Sequence, residues 1–211
     1  VAPGWHIYWS NPGEAGRATV GTFSLPAGFR VGPVRYPGPA SFEGAGGVRQ
    51  YGYASEVMLS AEVAAPDAAS GDELPIAVEA RWLACSDSCI EGSARAAMTL
   101  AYASDARPSE PVDHQLFARH AARLVQPLGE ACVVEGWEAD AVSMFCPEAT
   151  AVEFFPDAAL QPSYAGQLAV ARDGGVKLRL SVGQPRRVTG VIRLDTSGGA
   201  TFYAITLEPG P

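Results

Sequence analysis

The chain has 211 residues, with hydrophobic residues at 47% and charged residues at 18%. This composition excludes a disordered chain, and no apolar run reaches the roughly 18 residues needed to cross a bilayer as a helix. The formal charge is −8. The acidic excess is spread over both halves, which excludes nucleic acid and anionic membrane surfaces as natural partners. The length leaves room for two sandwiches of roughly 100 residues each. Gly at 23 and Pro at 17 point to many turns and short strands. Residue 1 is Val rather than Met, so an upstream segment with room for a signal peptide is expected.

In chain order, Trp5 to Trp9 is rich in strand formers, and Ser10-Asn11-Pro12-Gly13 reads as a turn. Thr19 to Leu25 alternates and stops at Pro26-Ala27-Gly28. Glu56 to Ala64 places Val57, Leu59, Ala61 and Val63 on one face, which predicts a half-buried strand. Pro75 to Leu83 does the same with Ile76, Val78, Ala80 and Trp82, and Ala94 to Ala103 with Met98, Leu100 and Tyr102. Pro111 to Val125 breaks the pattern. Leu116, Phe117, His120, Ala121 and Leu124 recur at helical spacing, between Ser109-Glu110-Pro111 and Pro127-Leu128-Gly129. Strands return at 131–134, 141–145, 151–155, 168–171, 176–182, 187–194 and 201–207. Hairpin turns are expected at Asp173-Gly174-Gly175 and Thr196-Ser197-Gly198-Gly199. The fold expected is all-β: two immunoglobulin-like β-sandwich domains in series, 1–108 and 130–211, joined by a short helix within 109–129.

The four cysteines form two local pairs. Cys85 and Cys89, with three residues between them, stand where a strand ends and a turn begins. A disulfide closing so small a loop stabilises little, and it suits a reversible exchange pair. A plain structural bridge is the alternative. Their Cα atoms are expected roughly 4.4–6.8 Å apart. Cys132 and Cys146 close a loop of about 15 residues, worth ~3 kcal/mol in the chain-entropy model, and are read as a structural disulfide, with a second redox pair as the alternative. Glu130, Glu135, Glu138, Asp140 and Glu148 around them disfavour thiolate formation. No second Cys/His pair with ligand spacing accompanies Cys85 and Cys89, so zinc is not expected. His6 and Tyr8 share one face of their strand, and the imidazole is either a tuner of a nearby thiolate or an ordinary half-buried histidine. His120 falls on the apolar stripe of its helix and reads as structural. Tyr51 and Tyr53 flank Gly52 in a Gly-rich stretch; they are read as exposed lid or docking aromatics, with simple packing as the alternative.

Three ordered motifs carry a resemblance. Gly4-Trp5-His6-Ile7-Tyr8-Trp9-Ser10-Asn11-Pro12-Gly13-Glu14-Ala15-Gly16 resembles the opening of the periplasmic amino-terminal domains of the DsbD/ScsB family of disulfide reductases. Gln50-Tyr51-Gly52-Tyr53-Ala54-Ser55-Glu56-Val57 resembles that family's Tyr-Gly-Tyr segment, and Trp82-Leu83-Ala84-Cys85-Ser86-Asp87-Ser88-Cys89 its Trp-Leu-x-Cys-x-x-x-Cys site. Phe154-Phe155-Pro156 and the strand at Gly190-Val191-Ile192 are loosely similar to the second domain of the ScsB-like branch.

The resemblance implies a periplasmic immunoglobulin-like domain that takes electrons from the transmembrane part of its own polypeptide. It would pass them to thioredoxin-like, isomerase or peroxiredoxin-like clients with no bound cofactor. It implies Cys89 as the attacking thiol and Cys85 as the resolving one. A cap loop maps onto about Val48–Tyr53, where Arg49 and Gln50 replace the acidic residues and phenylalanine of the best-known cap. The family's site tyrosines map onto His6 and Tyr8. Two rival readings remain: a non-catalytic interaction module with two structural disulfides, and a copper-tolerance-related binding domain. The second lacks support from Met58, Met98, Met144 and the histidines, which form no Met/His cluster in the sequence.

Overall fold

In the computed structural model the described residues are 1–66, 73–101, 113–183 and 187–209. The first half is built on one six-stranded sheet. Its strands are β1 (His6–Gly13), β2 (Val20–Ser24), β4 (Ala40–Glu43), β5 (Arg49–Tyr53), β7 (Glu73–Cys85) and β8 (Cys89–Ala101). Two short strands, β3 (Arg30–Val31) and β6 (Val63–Ala64), pair apart from it. Strand β7 pairs with β8 along its whole length and with β2 and β1 on its other edge. The sheet then continues through β5 to β4.

Strand alternation makes this sheet two-sided. Leu74, Ile76, Val78, Ala80, Trp82 and Ala84 share one face of β7, and Ile7 and Phe23 lie across from Ala84 and Val78 on the same face. Cys85, His6 and Cys89 occupy the opposite face, because His6 and Cys89 are the direct cross-strand partners of Cys85.

The second half is a sandwich of two four-stranded sheets. One has the order β10 (Val133–Trp137), β11 (Ala141–Pro147), β14 (Gly175–Ser181), β13 (Gly166–Arg172). The other has the order β12 (Ala151–Pro156), β15 (Val188–Thr196), β16 (Gly199–Leu207), β9 (Gln126–Pro127). Val142, Met144, Phe154, Leu178, Leu180 and Ile192 are among the residues that fill the space between them. The expected turns at 173–175 and 196–199 join β13 to β14 and β15 to β16.

Phe154 and Phe155 are both fully buried although they are sequence neighbours. They point to opposite faces of β12. Phe154 enters the core of the second sandwich, while Phe155 enters a separate cluster with Trp9, Tyr51, Tyr53 and Val191. That cluster belongs to both halves of the chain. Asn11 reinforces it: its amide donates to the Pro156 carbonyl at 2.7 Å and to Gln161 Oε1 at 3.0 Å.

Several expectations are corrected. Residues 10–13 do not leave the strand; β1 runs to Gly13 across a register shift, and Asn11 Oδ1 accepts the Gly13 N–H at 3.0 Å. Residues 56–64 hold only an isolated bridge from Ser60 to Arg35 and the short β6, which pairs with β3. The helix, α1, spans His114–Ala121 rather than 111–125. Beyond it the backbone turns to the first half, where the Gly38 N–H donates to the Arg123 carbonyl at 3.0 Å and Leu124 bridges Pro37. Phe117, expected on the buried stripe, is 51% exposed. The expected domain boundary at 108–109, the helix start at 109–111 and the strand end at 102–103 lie outside the described residues. The edge strand β9 of the second sandwich comes from the segment read as linker.

Candidate redox site

The site begins with the β7–β8 hairpin. Cys85 ends one strand and Cys89 starts the next, and they are direct partners in the ladder. The link between them is Ser86-Asp87-Ser88, closed by the Ser86 N–H donating to the Ser88 carbonyl at 2.9 Å. The two sulfurs are bonded, with Cα atoms 4.2 Å apart, slightly under the expected range. Cys85 is 3% exposed, whereas Cys89 is open to solvent. The pair thus joins one exposed residue to one buried residue.

His6 lies across from Cys85 in the β1–β7 ladder. Its Nε2 is 2.9 Å from Gln50 Oε1 on β5. Phe42 on β4 stacks on the imidazole with centroids 4.7 Å apart and planes 13° apart. Tyr8 meets the imidazole edge-on at 5.1 Å. Tyr8 is 1% exposed, and burial pushes its hydroxyl above the usual tyrosine range. Gly16, in the left-handed region, makes that burial possible: a Cβ there would stand 2.2 Å from the Tyr8 ring.

Residues 49–53, expected as a cap loop, are strand β5. The loop itself is residues 44–48, which joins β4 to β5. Gln50 is the residue of β5 that reaches the histidine, and Phe42 pairs directly with Gln50. Sequence reasoning missed Phe42. The aromatic it sought at positions 49–50 comes from the neighbouring strand, and the alternation of Ala40 and Phe42 just before the Gly-rich stretch was its only signal.

Tyr51 and Tyr53 are not exposed lid residues. They are 1% and 2% exposed, on the face of β5 opposite Gln50. Tyr51 meets Phe155 edge-on at 5.3 Å. The Tyr53 hydroxyl donates to the Pro37 carbonyl at 2.8 Å, and burial raises its pKa strongly. Gly52 between them lets β5 approach β1, since a Cβ there would fall 1.9 Å from the Ile7 carbonyl oxygen.

Cys132 and Cys146 are bonded in the second sandwich, with Cα atoms 4.1 Å apart. Both are buried in its core, at 5% and 0% exposure. His120 is buried and within 3.1 Å of Ser60 Oγ. Among the described residues no group of three or more His, Cys, Asp and Glu is placed to hold a metal. No helix among them is long and apolar enough to cross a membrane.

The family model described as "Thiol:disulfide interchange protein DsbD, N-terminal" matches residues 1–101. Residues 1–101 belong to the DsbD N-terminal family. The whole chain also superposes on the N-terminal periplasmic domain of ScsB from Proteus mirabilis. That match has a TM-score of 0.66 at 19% identity and covers 100% of this chain and 85% of that one. At this identity the likeness shows the fold, and it extends over both halves. No curated protein matches the chain. The DsbD-type half is thus a thiol:disulfide interchange domain whose cysteine pair is closed at the tip of the β7–β8 hairpin.

Proposed function

We propose that this chain is the periplasmic electron-transfer module of a DsbD/ScsB-like membrane reductase, and that Cys89 is its attacking thiol. The observation that carries the reading is the asymmetry of the pair: Cys89 is open to solvent and Cys85 is 3% exposed. In the reduced module the Cys89 thiolate attacks one sulfur of a client disulfide. A Cys89–client disulfide forms and one client thiolate leaves. The Cys85 thiolate then attacks Cys89 Sγ, the second client thiolate leaves, and the Cys85–Cys89 disulfide remains. Two electrons have passed to the client, and its two sulfurs take up protons from solvent. The transmembrane part of the same polypeptide restores the dithiol by the reverse sequence.

The clients are proteins with thioredoxin-like redox sites, including isomerases and peroxiredoxin-like proteins. His6 is a positioning and tuning residue, since it faces Cys85 across the ladder and a neighbouring imidazolium favours thiolate. The Cys132–Cys146 bridge is structural, because its buried sulfurs cannot meet a client's.

The test is mixed-disulfide trapping with an oxidised thioredoxin-fold client. Cys85→Ala should accumulate a covalent complex through Cys89, and Cys89→Ala should give none. Trapping by Cys89→Ala alone would reverse the roles. Trapping by neither would leave the pair without exchange chemistry.

A further inference from the structure

Strand β8 carries the Cys89 end of the redox pair and has a free edge. It pairs with β7 through all 13 of its residues and, among the described residues, with no strand on its other side. From Cys89 to Leu100 every residue except Gly92 is exposed. The ladder also fixes which backbone groups the edge presents. The Cα atoms of Cys85 and Cys89 are 4.2 Å apart, the spacing of a non-hydrogen-bonded pair, which is about 4.5 Å against about 5.5 Å for a bonded one. The next position outward carries the bond, from the Ser86 N–H to the Ser88 carbonyl, as the alternation requires. Cys89, Glu91, Ser93, Arg95 and Ala97 therefore direct their N–H and C=O groups away from β7. Such a row is a template for another strand.

The side chains on this edge say which strand fits. Glu91 and Arg95 are the only charged residues of β8, and they share the face of the redox pair. Arg17 engages Glu91 through Oε1 at 2.9 Å. Arg95 is exposed and has no ion-pair partner among the described residues. Glu79, its direct partner on β7, bonds Arg81 instead at 2.6 Å. On the opposite face Ile90 and Met98 are large apolar side chains left exposed. A two-fold axis through Ser93 pairs the edge with itself, antiparallel, and answers all of these features. Ser93 opposes its own copy, and Glu91 opposes Arg95 of the second copy, twice over by symmetry. Ile90 becomes the diagonal neighbour of Met98 of the second copy. Axes through Glu91 or Arg95 would set like charges opposite each other. Axes through Gly92 or Ala94 would set both charges opposite uncharged residues.

We propose that the chain self-associates through the free edge of β8 into a two-fold dimer, in the register centred on Ser93. The two six-stranded sheets then join into one. Both redox pairs lie on the same face of it, with the two Cys89 residues roughly 27 Å apart along the strands. The added strand lies beside Cys89 and not over it. The dimer therefore neither depends on the exchange chemistry nor blocks it.

Sedimentation velocity of the full chain over a concentration series tests this. A dimer that dissociates on dilution is expected. Glu91→Arg should weaken it on the order of tenfold, since two attractive cross-strand pairs become repulsive. Glu91→Arg/Arg95→Glu exchanges the charges within each pair and should restore it. Cysteine substitution reads the register. Ser93→Cys should give an intermolecular disulfide under mild oxidation, mapped by mass spectrometry to that position on both chains. Bonded antiparallel partners are about 5.5 Å apart at Cα, within disulfide reach. Thr99→Cys should give none, since its two copies would lie roughly 40 Å apart. The cysteine variants decide the matter even if the charge variants do not fold. A monomer at every concentration would overturn the proposal and leave the edge to a strand of different sequence. Undiminished dimer in Glu91→Arg, no recovery on charge exchange, or crosslinking of Thr99→Cys as readily as of Ser93→Cys would overturn it equally.

Discussion

The ring of Phe42 lies flat on the imidazole of His6, 4.7 Å between centroids. Phe42 comes from β4, the terminal strand of its sheet, and His6 from the strand that pairs with Cys85. The edge hairpin thereby reaches the face of the redox pair through one aromatic contact. Removing the ring loosens that face. Phe42→Ala should speed reduction of Cys85–Cys89 by dithiothreitol on the order of threefold, since exchange rates follow access to the sulfur. Stopped-flow measurement of thiol release tests this. An unchanged rate would mean that the hairpin does not govern access.

His6→Gln keeps a group able to pair with Gln50 and removes the imidazole. Resolution of a preformed Cys89–client mixed disulfide by Cys85, the thiol that His6 faces, should slow up to about tenfold at pH 7, the effect of one pKa unit on thiolate content. The whole pH profile should shift rather than scale. A profile that only scales would indicate altered access instead of altered ionisation.

The seam between the halves should be stability-determining. Asn11→Ala strips the Pro156 carbonyl of its buried donor and should cost about 1–3 kcal/mol. Phe155→Ala empties a fully buried site and should cost roughly 3–5 kcal/mol. Urea denaturation followed separately by a probe in each half should show both transitions moving together. Movement of one transition alone would mean that the halves unfold independently.

His120 gives the fold a defined acid sensitivity. Burial holds its pKa below the ordinary 6.5, with the nearby Arg123 adding to the effect. Above pH 6.5 the folded and unfolded forms are both neutral, so the group contributes no slope. Below it the unfolded chain takes up a proton that the folded chain refuses, and stability falls until the folded pKa is reached. The melting temperature should therefore decline just below pH 6.5, and His120→Gln should flatten that decline. Differential scanning fluorimetry in half-unit pH steps tests this. An unchanged slope in the variant would assign the decline to other groups.

The Cys132→Ser/Cys146→Ser variant should lose about 2–5 kcal/mol of stability. It should keep nearly all of its client reduction, provided that assays are run below its lowered melting temperature. Loss of reduction by a still-folded variant would mean that electrons pass through the second pair.

How much of this was legible in the sequence depends on where each residue's partner lies. Strand β7 was readable because Ile76, Val78, Ala80 and Trp82 alternate with Ala77, Glu79 and Arg81, so the pattern alone records its two faces. The pairing of Cys85 with Cys89 was readable because both ends of the contact fall within five residues. Residues 56–64 alternate just as well, yet a strand also needs a partner, and theirs is limited to Arg30, Val31 and Arg35, which no local pattern can report. Tyr51 and Tyr53 sit among glycines that signal a mobile loop. Their burial depends on Phe155 and Val191, more than a hundred positions away. Phe42 escaped notice for the same reason: it matters only through His6, which a different strand brings to it.

The aromatic cluster shared by Trp9, Tyr51, Tyr53, Phe155 and Val191 has a consequence for anyone who cuts or recombines this chain. The family boundary near residue 101 is a boundary of ancestry and not of solvent. A fragment ending there would present bare tyrosine and tryptophan rings to water and would invite self-association. Transplanting the first module onto another carrier would require bringing Phe155, Val191 and the Asn11 acceptors with it, or replacing the exposed rings by polar residues. The unit that can be moved between proteins is therefore the pair of modules together.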